Sequence, residues 1–349
     1  MKKNIPLIAI SFFVVCFLLF VWIWQGIYLA KSPDFSGAEG FFVAKGQGIK
    51  EIADNLKNRG IIKSPLFFRI YVLAGGAARK LQAGEYFLSS GMAIPEIVNK
   101  FVAGEVVKET LTLLEGWNMR DLGWHLENKG MFMAEELFEL AGFPAISYSQ
   151  DSSLPQPKDF SQDFDFLADK PKSLGLEGYL FPDTYEISGH LSLQEIVRKM
   201  LANFGEKITP GMKEEIASQK KSLFAIITMA SLIEKEVRTP EDKKIVSGIL
   251  WKRLDAGMPL QVDATIVYVT GKKSTKVSID ETKIDSFYNT YKYKGLPIGP
   301  ICNPGLESIM AAIYPAETDY WYYLSTPRGE TIFSRTFAQH NAAKAKYLK

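Results

Sequence analysis

An apolar run from Ile5 to Trp24 dominates the N-terminal end of the sequence, and Ser11 is its only ordinary polar side chain. A helix of about 20 residues, at roughly 1.5 Å per residue, is long enough to span the hydrocarbon core of a bilayer. A cleavable signal peptide has a shorter apolar core and small residues before the cut, whereas Tyr28 and Leu29 are large. We therefore predict an uncleaved transmembrane anchor over residues 5–29.

Charges on either side of this run predict its orientation. Lys2 and Lys3 precede the run, and basic residues tend to remain on the cytoplasmic side of a membrane. Lys31 and Lys45 follow the run and weaken this asymmetry. We expect a cytoplasmic N terminus, with everything after about residue 30 outside the cytoplasm.

Composition describes an ordinary globular body behind this anchor. The 349 residues suggest two or three domains, and 47% hydrophobic with 23% charged residues disfavours disorder. A net charge of +2 gives no basic surface for nucleic acid. Two cysteines, Cys16 and Cys302, are too few for a disulfide scaffold or a cysteine-built zinc site. Three scattered histidines (His125, His190 and His340) predict no metal cluster, and we expect no cofactor.

A glycine-led helical pattern recurs after the anchor. The segment from Gly46 to Gly60 is typical of a turn followed by an amphipathic helix, since Ile49, Ile52 and Leu56 are spaced three and four residues apart. The same pattern returns 70 positions later at Gly116, Met119, Leu122, Leu126, Asn128 and Gly130. A partial third copy begins at Gly91. Recurring strand, turn and helix units predict small βα modules packed on one another.

These patterns predict an α+β protein with two parts outside the membrane. A small βα module occupies residues 38–108, and a larger mixed α/β domain with a helical core occupies residues 109–349. Within the larger domain, residues 145–172 are rich in Ser, Asp, Pro and Gln and predict a surface loop. Two short strands, Tyr320 to Ser325 and Thr331 to Ser334, predict a β-hairpin.

One helix stands out as a core element. Ser222 can cap it, and the residues from Leu223 to Ile233 are apolar on all sides except for Thr228 and Ser231. The helix runs into the motif Glu-Lys-Glu-Val-Arg, residues 234–238, and Thr239-Pro then starts a second helix.

The motif at the end of this helix contains the candidate catalytic residues. A carboxyl group partly removed from water retains its proton more readily, so it can act as a general acid and, after losing the proton, as a base. Glu234 and Glu236 both fit this description, and the residues alone do not rank them. The alternative is a solvated Glu234 that pairs with Arg238 four residues later.

Two further polar residues follow the second helix. Gln261 and Asp263 come after Met258-Pro-Leu, in a turn-forming context. They are candidates for substrate binding, although Asp263 is equally well placed to cap a helix over residues 264–269.

A second group of candidates supplies aromatic rings and an amide. The segment Tyr-Asn-Thr-Tyr contains Tyr288, Asn289 and Tyr291. Their rings and amide are suited to binding a sugar, although an ordinary surface loop accounts for this composition nearly as well. Glu177 is a candidate supporting carboxylate, or alternatively a turn residue.

Several motifs agree, in order, with one family. They are Leu176-Glu-Gly-Tyr-Leu-Phe-Pro-Asp-Thr-Tyr185, Ala230-Ser-Leu-Ile-Glu-Lys-Glu236, Leu260-Gln-Val-Asp263, Tyr288-Asn-Thr-Tyr291, Gly295-Leu-Pro-Ile-Gly-Pro-Ile301 and Asn303-Pro-Gly305. Behind an N-terminal anchor, this set closely resembles the YceG/MltG-like endolytic murein transglycosylases. The chain departs from the family pattern at Val237, where Thr is frequent, and at Ala264, where Pro is frequent.

The resemblance implies a bacterial inner-membrane protein with a LysM-like subdomain and a catalytic domain that cleaves peptidoglycan glycan strands. It assigns catalysis to the first glutamate of the Glu-Lys-Glu motif, which is Glu234, and requires neither metal nor cofactor. The cell-wall synthesis machinery is an expected partner. A hydrolytic muramidase using a second carboxylate, Asp263 or Glu236, and a non-catalytic wall-binding scaffold remain the alternatives.

Overall fold

The structure is a computed structural model that describes residues 5–35, 37–149, 153–188, 191–274 and 276–348, with side chains from residue 10 onward. Lys2, Lys3 and His190, which entered the expectations above, lie outside the described residues. The chain divides into two compact units. Unit 1 extends to Thr110 and includes the segment from Glu186 to Leu191, and unit 2 comprises Leu111–Tyr185 and Ser192–Lys349. The described residues form thirteen α-helices and six short strands, so the mixed α/β class is confirmed.

Unit 1 begins with the apolar helix and continues as strand, helix, helix, strand and helix. Its elements are α1 (Ile5–Tyr28), β1 (Glu39–Val43), α2 (Ile49–Asn58), α3 (Pro65–Ala74), β2 (Gly84–Leu88) and α4 (Ile94–Ala103). Residues Ile10–Tyr28 of α1 are long and apolar enough to cross a membrane. Strands β1 and β2 are antiparallel, with Phe41 opposite Tyr86. Both side chains are buried against Phe101 of α4, which centres the core of the unit.

Unit 2 contains most of the helices, and the boundary between the units runs through its first sheet. Its elements are β3 (Lys108–Thr112), α5 (Met119–Asn128), α6 (Ala134–Ala141), β4 (Thr184–Ser188), α7 (Leu193–Lys207), α8 (Pro210–Ser218), α9 (Leu223–Glu236), α10 (Pro240–Asp255), α11 (Asp263–Thr270), α12 (Leu306–Ile313), β5 (Tyr322–Ser325), β6 (Thr331–Ser334) and α13 (Phe337–Tyr347). Strand β3 pairs with β4, and β5 pairs with β6. The β5–β6 pair is the predicted hairpin.

The internal repeat of 70 residues is confirmed. Helices α2 and α5 each have ten residues and begin 70 positions apart. Gly46 and Gly116 precede them with φ of +82° and +78°, and Gly60 and Gly130 follow them with φ of +76° and +67°. Only glycine adopts such backbone angles without strain, which explains why these four positions repeat.

The predicted core helix is α9. Its residues from Ile226 to Ile233 are all buried, because α8, α10, α11 and α12 pack around it. The Ser222 hydroxyl caps it by accepting a hydrogen bond from the Ala225 amide at 3.0 Å. The Thr239 hydroxyl caps α10 by accepting from the Asp242 amide at 3.1 Å. The predicted caps of the two helices are therefore confirmed, and α9 includes the first three residues of the Glu-Lys-Glu-Val-Arg motif.

The prediction that residues 145–172 form a surface loop is wrong for part of this segment. Residues 150–152 lie outside the described residues. In the rest, Phe160, Phe166 and Leu167 are buried, and the Phe166 ring lies 4.9 Å from that of Phe204 in α7. The polar composition concealed these anchors, since they follow no helical or strand period.

Candidate active site

The two glutamates of the Glu-Lys-Glu motif lie on the last turn of α9. Residues two apart on an α-helix point to nearly opposite sides, so Glu234 and Glu236 face different neighbours. Glu236 is the last residue of the helix. The structure thereby separates two candidates that the sequence left unranked.

Glu234 faces α10 and α12 and is enclosed. Its Oε2 accepts hydrogen bonds from Lys243 Nζ at 3.3 Å, from the Gly305 amide at 3.1 Å and from Ser308 Oγ at 2.6 Å. The Glu234 side chain is 9% exposed and that of Lys243 is 4% exposed. Three donors, one of them a buried cation, thus converge on one oxygen of Glu234. The ion pair observed for Glu234 is with Lys243, and not the pairing with Arg238 that its spacing had suggested.

A third carboxyl group, missed in the sequence analysis, lies beside this pair. The pKa of Glu115 is raised, first by partial burial and next by the negative charge of Glu234, while Lys243 opposes the rise. A Cβ at Gly305 would lie 2.1 Å from Glu115 Oε1, so only glycine lets this carboxyl group approach the start of α12. No local sequence pattern connects residues 115 and 305.

Glu236 faces the β5–β6 hairpin and the start of α11, and it is only partly exposed. The pKa of Glu236 is raised to about 7, chiefly by burial and also by the negative charge of Asp263, while a hydrogen bond from Tyr323 and the charge of Arg253 oppose the rise. Its position at the carboxyl end of α9 also disfavours a negative charge. Glu236 is therefore poised to hold a proton near neutral pH and to release it.

Arg253 organises the surroundings of Glu236 from α10. It is buried, and its Nε donates to the Trp321 carbonyl at 2.8 Å while one Nη donates to the Leu260 carbonyl at 2.9 Å. These bonds tie together the residues just before the hairpin and those just before α11. The sequence analysis missed both Arg253 and Tyr323, because they reach Glu236 only through the tertiary fold.

Gln261 and Asp263 are both exposed, and the negative charge of Asp263 acts on Glu236. Gln261 has a φ of +53°, which is rare for a residue with a side chain, and its amide donates to the Thr290 carbonyl at 3.1 Å. Such strain concentrates at functional sites. Asp263 is the first residue of α11 and does not cap it, so the capping alternative is wrong.

The Asp263 carboxylate instead accepts a hydrogen bond from the Tyr291 hydroxyl. Partial burial and this bond both raise the pKa of Tyr291. Asp263 and Tyr291 interact electrostatically with Glu236, and Gln261 precedes Asp263 by two residues, so these four residues form one set. We call this set the Glu236 cluster.

The remaining predicted site residues lie deeper. Glu177 is buried and accepts from the Met119 amide at 3.0 Å, the Tyr268 hydroxyl at 3.1 Å and the Asn303 amide group at 3.4 Å. Burial raises the Glu177 pKa to about 7. The Tyr288 ring packs 5.0 Å from that of Tyr268. These groups form an interior network.

Asn289 holds its own loop. Its Nδ2 donates to the carbonyls of Thr282 at 3.0 Å and Ile284 at 2.7 Å, and its Oδ1 accepts from the amides of Tyr291 and Lys292. With these bonds made, the Asn289 side chain fixes the loop that presents Tyr291.

A model of the YceG-like family matches residues 41–346, which is most of the chain. The chain belongs to the YceG-like family. The Glu236 cluster and the Glu234–Lys243 pair both lie within the matched region.

Relatives of this YceG-like chain include named enzymes. It is 33% identical over 308 residues to an endolytic murein transglycosylase of Bacillus subtilis (strain 168), covering 88% of the chain and 84% of the relative. It is 28% identical over 330 residues to an endolytic murein transglycosylase of Streptococcus pneumoniae (serotype 2, strain D39), covering 88% of the chain and 58% of that longer protein. The crystal structure of a YceG-like protein from Listeria monocytogenes superposes with a TM-score of 0.57 at 30% identity, covering 88% of this chain and 99% of that one.

The chemistry available to the YceG-like chain is that of carboxyl groups. Among the residues that the structure describes, no group of three or more His, Cys, Asp or Glu side chains is placed to hold a metal ion. The Glu236 cluster offers a carboxyl group with a pKa of about 7, a second carboxyl group, a phenol and an amide.

Proposed function

We propose that this chain is a membrane-anchored endolytic transglycosylase that cleaves the MurNAc–GlcNAc bond of peptidoglycan glycan strands. The names of its relatives, at 28% to 33% identity over most of the chain, support a substrate of this class. The observation that carries the proposal is a half-buried carboxyl group, Glu236, set among exposed polar side chains that can contact a sugar.

Glu234 and Glu236 are the two candidate proton donors of this proposal. Glu234 is engaged in the ion pair with Lys243 and accepts hydrogen bonds from the Gly305 amide and the Ser308 hydroxyl. Glu236 combines partial exposure with a pKa of about 7, which suits a general acid at neutral pH. Glu234 remains the second candidate, because the family resemblance assigns catalysis to it.

The proposed reaction has two proton transfers. Glu236 protonates the oxygen between MurNAc C1 and GlcNAc as the bond between C1 and that oxygen breaks. The MurNAc C6 hydroxyl oxygen then attacks C1, and the Glu236 carboxylate takes the proton that this hydroxyl loses. A new bond between C1 and O6 closes a 1,6-anhydro ring, so atoms balance without water.

The other predicted residues support this reaction at two levels. We assign Gln261, Asp263 and Tyr291 to sugar contact and to stabilising the positive charge that develops at C1. Glu177, Tyr288 and Asn289 are buried, and we assign them to maintaining the shape of the sugar-binding surface.

We propose that unit 1 holds the chain at the membrane. Helix α1 anchors the chain in the bacterial inner membrane, with the N terminus in the cytoplasm and the body outside it. The β1-α2-α3-β2 order is compatible with a LysM-like module that holds glycan. The cell-wall synthesis machinery, which makes such strands, is the proposed partner.

The test is product analysis with the full chain. Purified protein in detergent is incubated with glycan strands, and the masses of the released muropeptides are measured. Ends lighter by one water than reducing ends support the transglycosylase, whereas reducing ends alone identify a muramidase. Binding to insoluble peptidoglycan without any product identifies a scaffold.

A further inference from the structure

Helix α3 lies alongside the last turns of the anchor helix within unit 1. The ring centroids of Trp22 in α1 and Phe67 in α3 are 4.8 Å apart, and those of Tyr28 and Tyr71 are 6.3 Å apart. Aromatic residues such as Trp22 and Tyr28, at the end of a spanning helix, occupy the interface between lipid and water. Helix α3 therefore lies at the level of that interface.

The contact between the two helices is close. A Cβ at Gly26 would lie 2.2 Å from Cε2 of Phe67, so only glycine at this position admits the ring. Ile27 is buried in the same core as Phe67. The chain after α1 is also held, since the Ser32 amide donates to the Ser90 carbonyl at 2.9 Å. The other elements of unit 1 thus pack directly on the end of α1.

The outward face of α3 carries two exposed leucines together with Arg69, and basic residues are frequent in the sequence around the helix. Leu66 is 49% exposed and Leu73 is 60% exposed, and residues seven apart share one helix face. Residues 59–80 include five basic residues and no acidic one: Arg59, Lys63, Arg69, Arg79 and Lys80. Apolar residues on one face with basic residues beside them are typical of a helix that lies in a membrane surface.

We propose that α3 rests in the outer leaflet of the membrane that α1 spans, with Leu66 and Leu73 entering the boundary between headgroups and acyl chains. The neighbouring basic side chains then contact lipid phosphates. This inference rests on the proposed anchor role of α1. Its consequence is that unit 1 is seated on the membrane surface, and its height above the bilayer is set by two helices and not by a free linker.

The experiment measures the depth of single labels in the full chain. A bimane label is attached to Leu66→Cys, Leu73→Cys or Phe87→Cys, each in a Cys16→Ser, Cys302→Ser background, and the proteins are reconstituted in vesicles of phosphatidylcholine and phosphatidylglycerol. Phe87, on β2, is the matched control because it is apolar and 54% exposed. Lipids carrying a nitroxide near the headgroup serve as quenchers. A fourth sample, labelled on native Cys16 of α1 in a Cys302→Ser background, reports whether α1 is inserted.

We expect quenching at positions 66 and 73 to exceed that at position 87 by about twofold or more. Quenching at 66 and 73 no greater than at 87, with Cys16 still quenched by a deeper nitroxide, overturns the proposal and leaves the anchor intact. A Cys16 label that no lipid quencher reaches overturns the anchor and this proposal together. Near-identical circular dichroism spectra of the labelled proteins and the unsubstituted chain establish that the substitutions, of which only Cys302→Ser is at a buried position, leave the fold in place.

Discussion

The Lys243 ammonium group lies 3.3 Å from the Glu234 carboxylate, and both side chains are almost wholly enclosed in unit 2. Removing one partner of a buried pair leaves an uncompensated charge away from water. We expect Lys243→Met to lower the free energy of unfolding by about 3 kcal/mol. Urea unfolding followed by tryptophan fluorescence measures this, with Lys283→Met, from an exposed pair, as the matched control that changes little.

A double variant distinguishes the effect of losing the Lys243 charge from the effect of changing the shape of the side chain. Lys243→Met with Glu234→Gln removes both charges, so we expect it to be more stable than Lys243→Met alone. A double variant as unstable as the sum of the two single variants contradicts the ion-pair interpretation.

We expect the activity to decline as the pH rises, because Glu236 is the proposed general acid. As a general acid it must hold its proton, so the alkaline limb of the pH–rate profile should lie near its pKa of about 7. Tyr323→Phe removes a hydrogen bond that lowers this pKa, and the limb should move to higher pH. Asp263→Asn removes a charge that raises it, and the limb should move to lower pH. Initial rates of muropeptide release across the pH range give the three profiles, and limbs that coincide would remove Glu236 from the acid role.

The same carboxyl groups predict a pH-dependent stability. Glu177 and Glu236 both have a folded-state pKa of about 7, above the ordinary value of 4.5. A raised pKa means that the unfolded chain loses the proton first, so the stability is full below about pH 4 and is lost as the pH rises through 7. We expect the free energy of unfolding to be lower at pH 8 than at pH 5.

Glu236→Gln isolates one of these contributions. This variant should reduce the difference in unfolding free energy between pH 5 and pH 8 by on the order of 1 to 3 kcal/mol. Glu135→Gln, an exposed position on α6, is the control. An unchanged difference in the Glu236 variant contradicts the buried, protonated state.

We expect substitutions at Gln261 to affect stability and activity in opposite directions. Gln261→Gly relieves the φ of +53° and should raise the free energy of unfolding by up to about 1 kcal/mol, while Gln261→Ala keeps the strain. Both remove the amide proposed to contact the sugar, so both should raise the KM for glycan strands. Unchanged KM in both variants would assign Gln261 a purely local role.

Local patterns predicted much of this fold. The apolar periodicity and the caps at Ser222 and Thr239 identified α9 and α10, because these signals reside in residues three or four apart. The glycines that begin and end α2 and α5 revealed the repeat, since a left-handed backbone angle leaves a visible residue type.

Partners distant in sequence were beyond such patterns. Lys243 and Ser308 reach Glu234 from two other helices, and Tyr323 reaches Glu236 from a hairpin. The Glu-Lys-Glu motif was therefore recognisable in the sequence, whereas the tertiary partners of each glutamate were not. The assignment of Glu177, Gln261, Asp263, Tyr288, Asn289 and Tyr291 to substrate binding stays a prediction.

The most direct test compares Glu236→Gln with Glu234→Gln in the full chain, on purified glycan strands, with product masses and unfolding curves recorded for both. The account predicts that Glu236→Gln releases no 1,6-anhydro ends while remaining folded, and that Glu234→Gln loses stability but releases such ends in proportion to its folded fraction. A folded, inactive Glu234→Gln beside an active Glu236→Gln would contradict it.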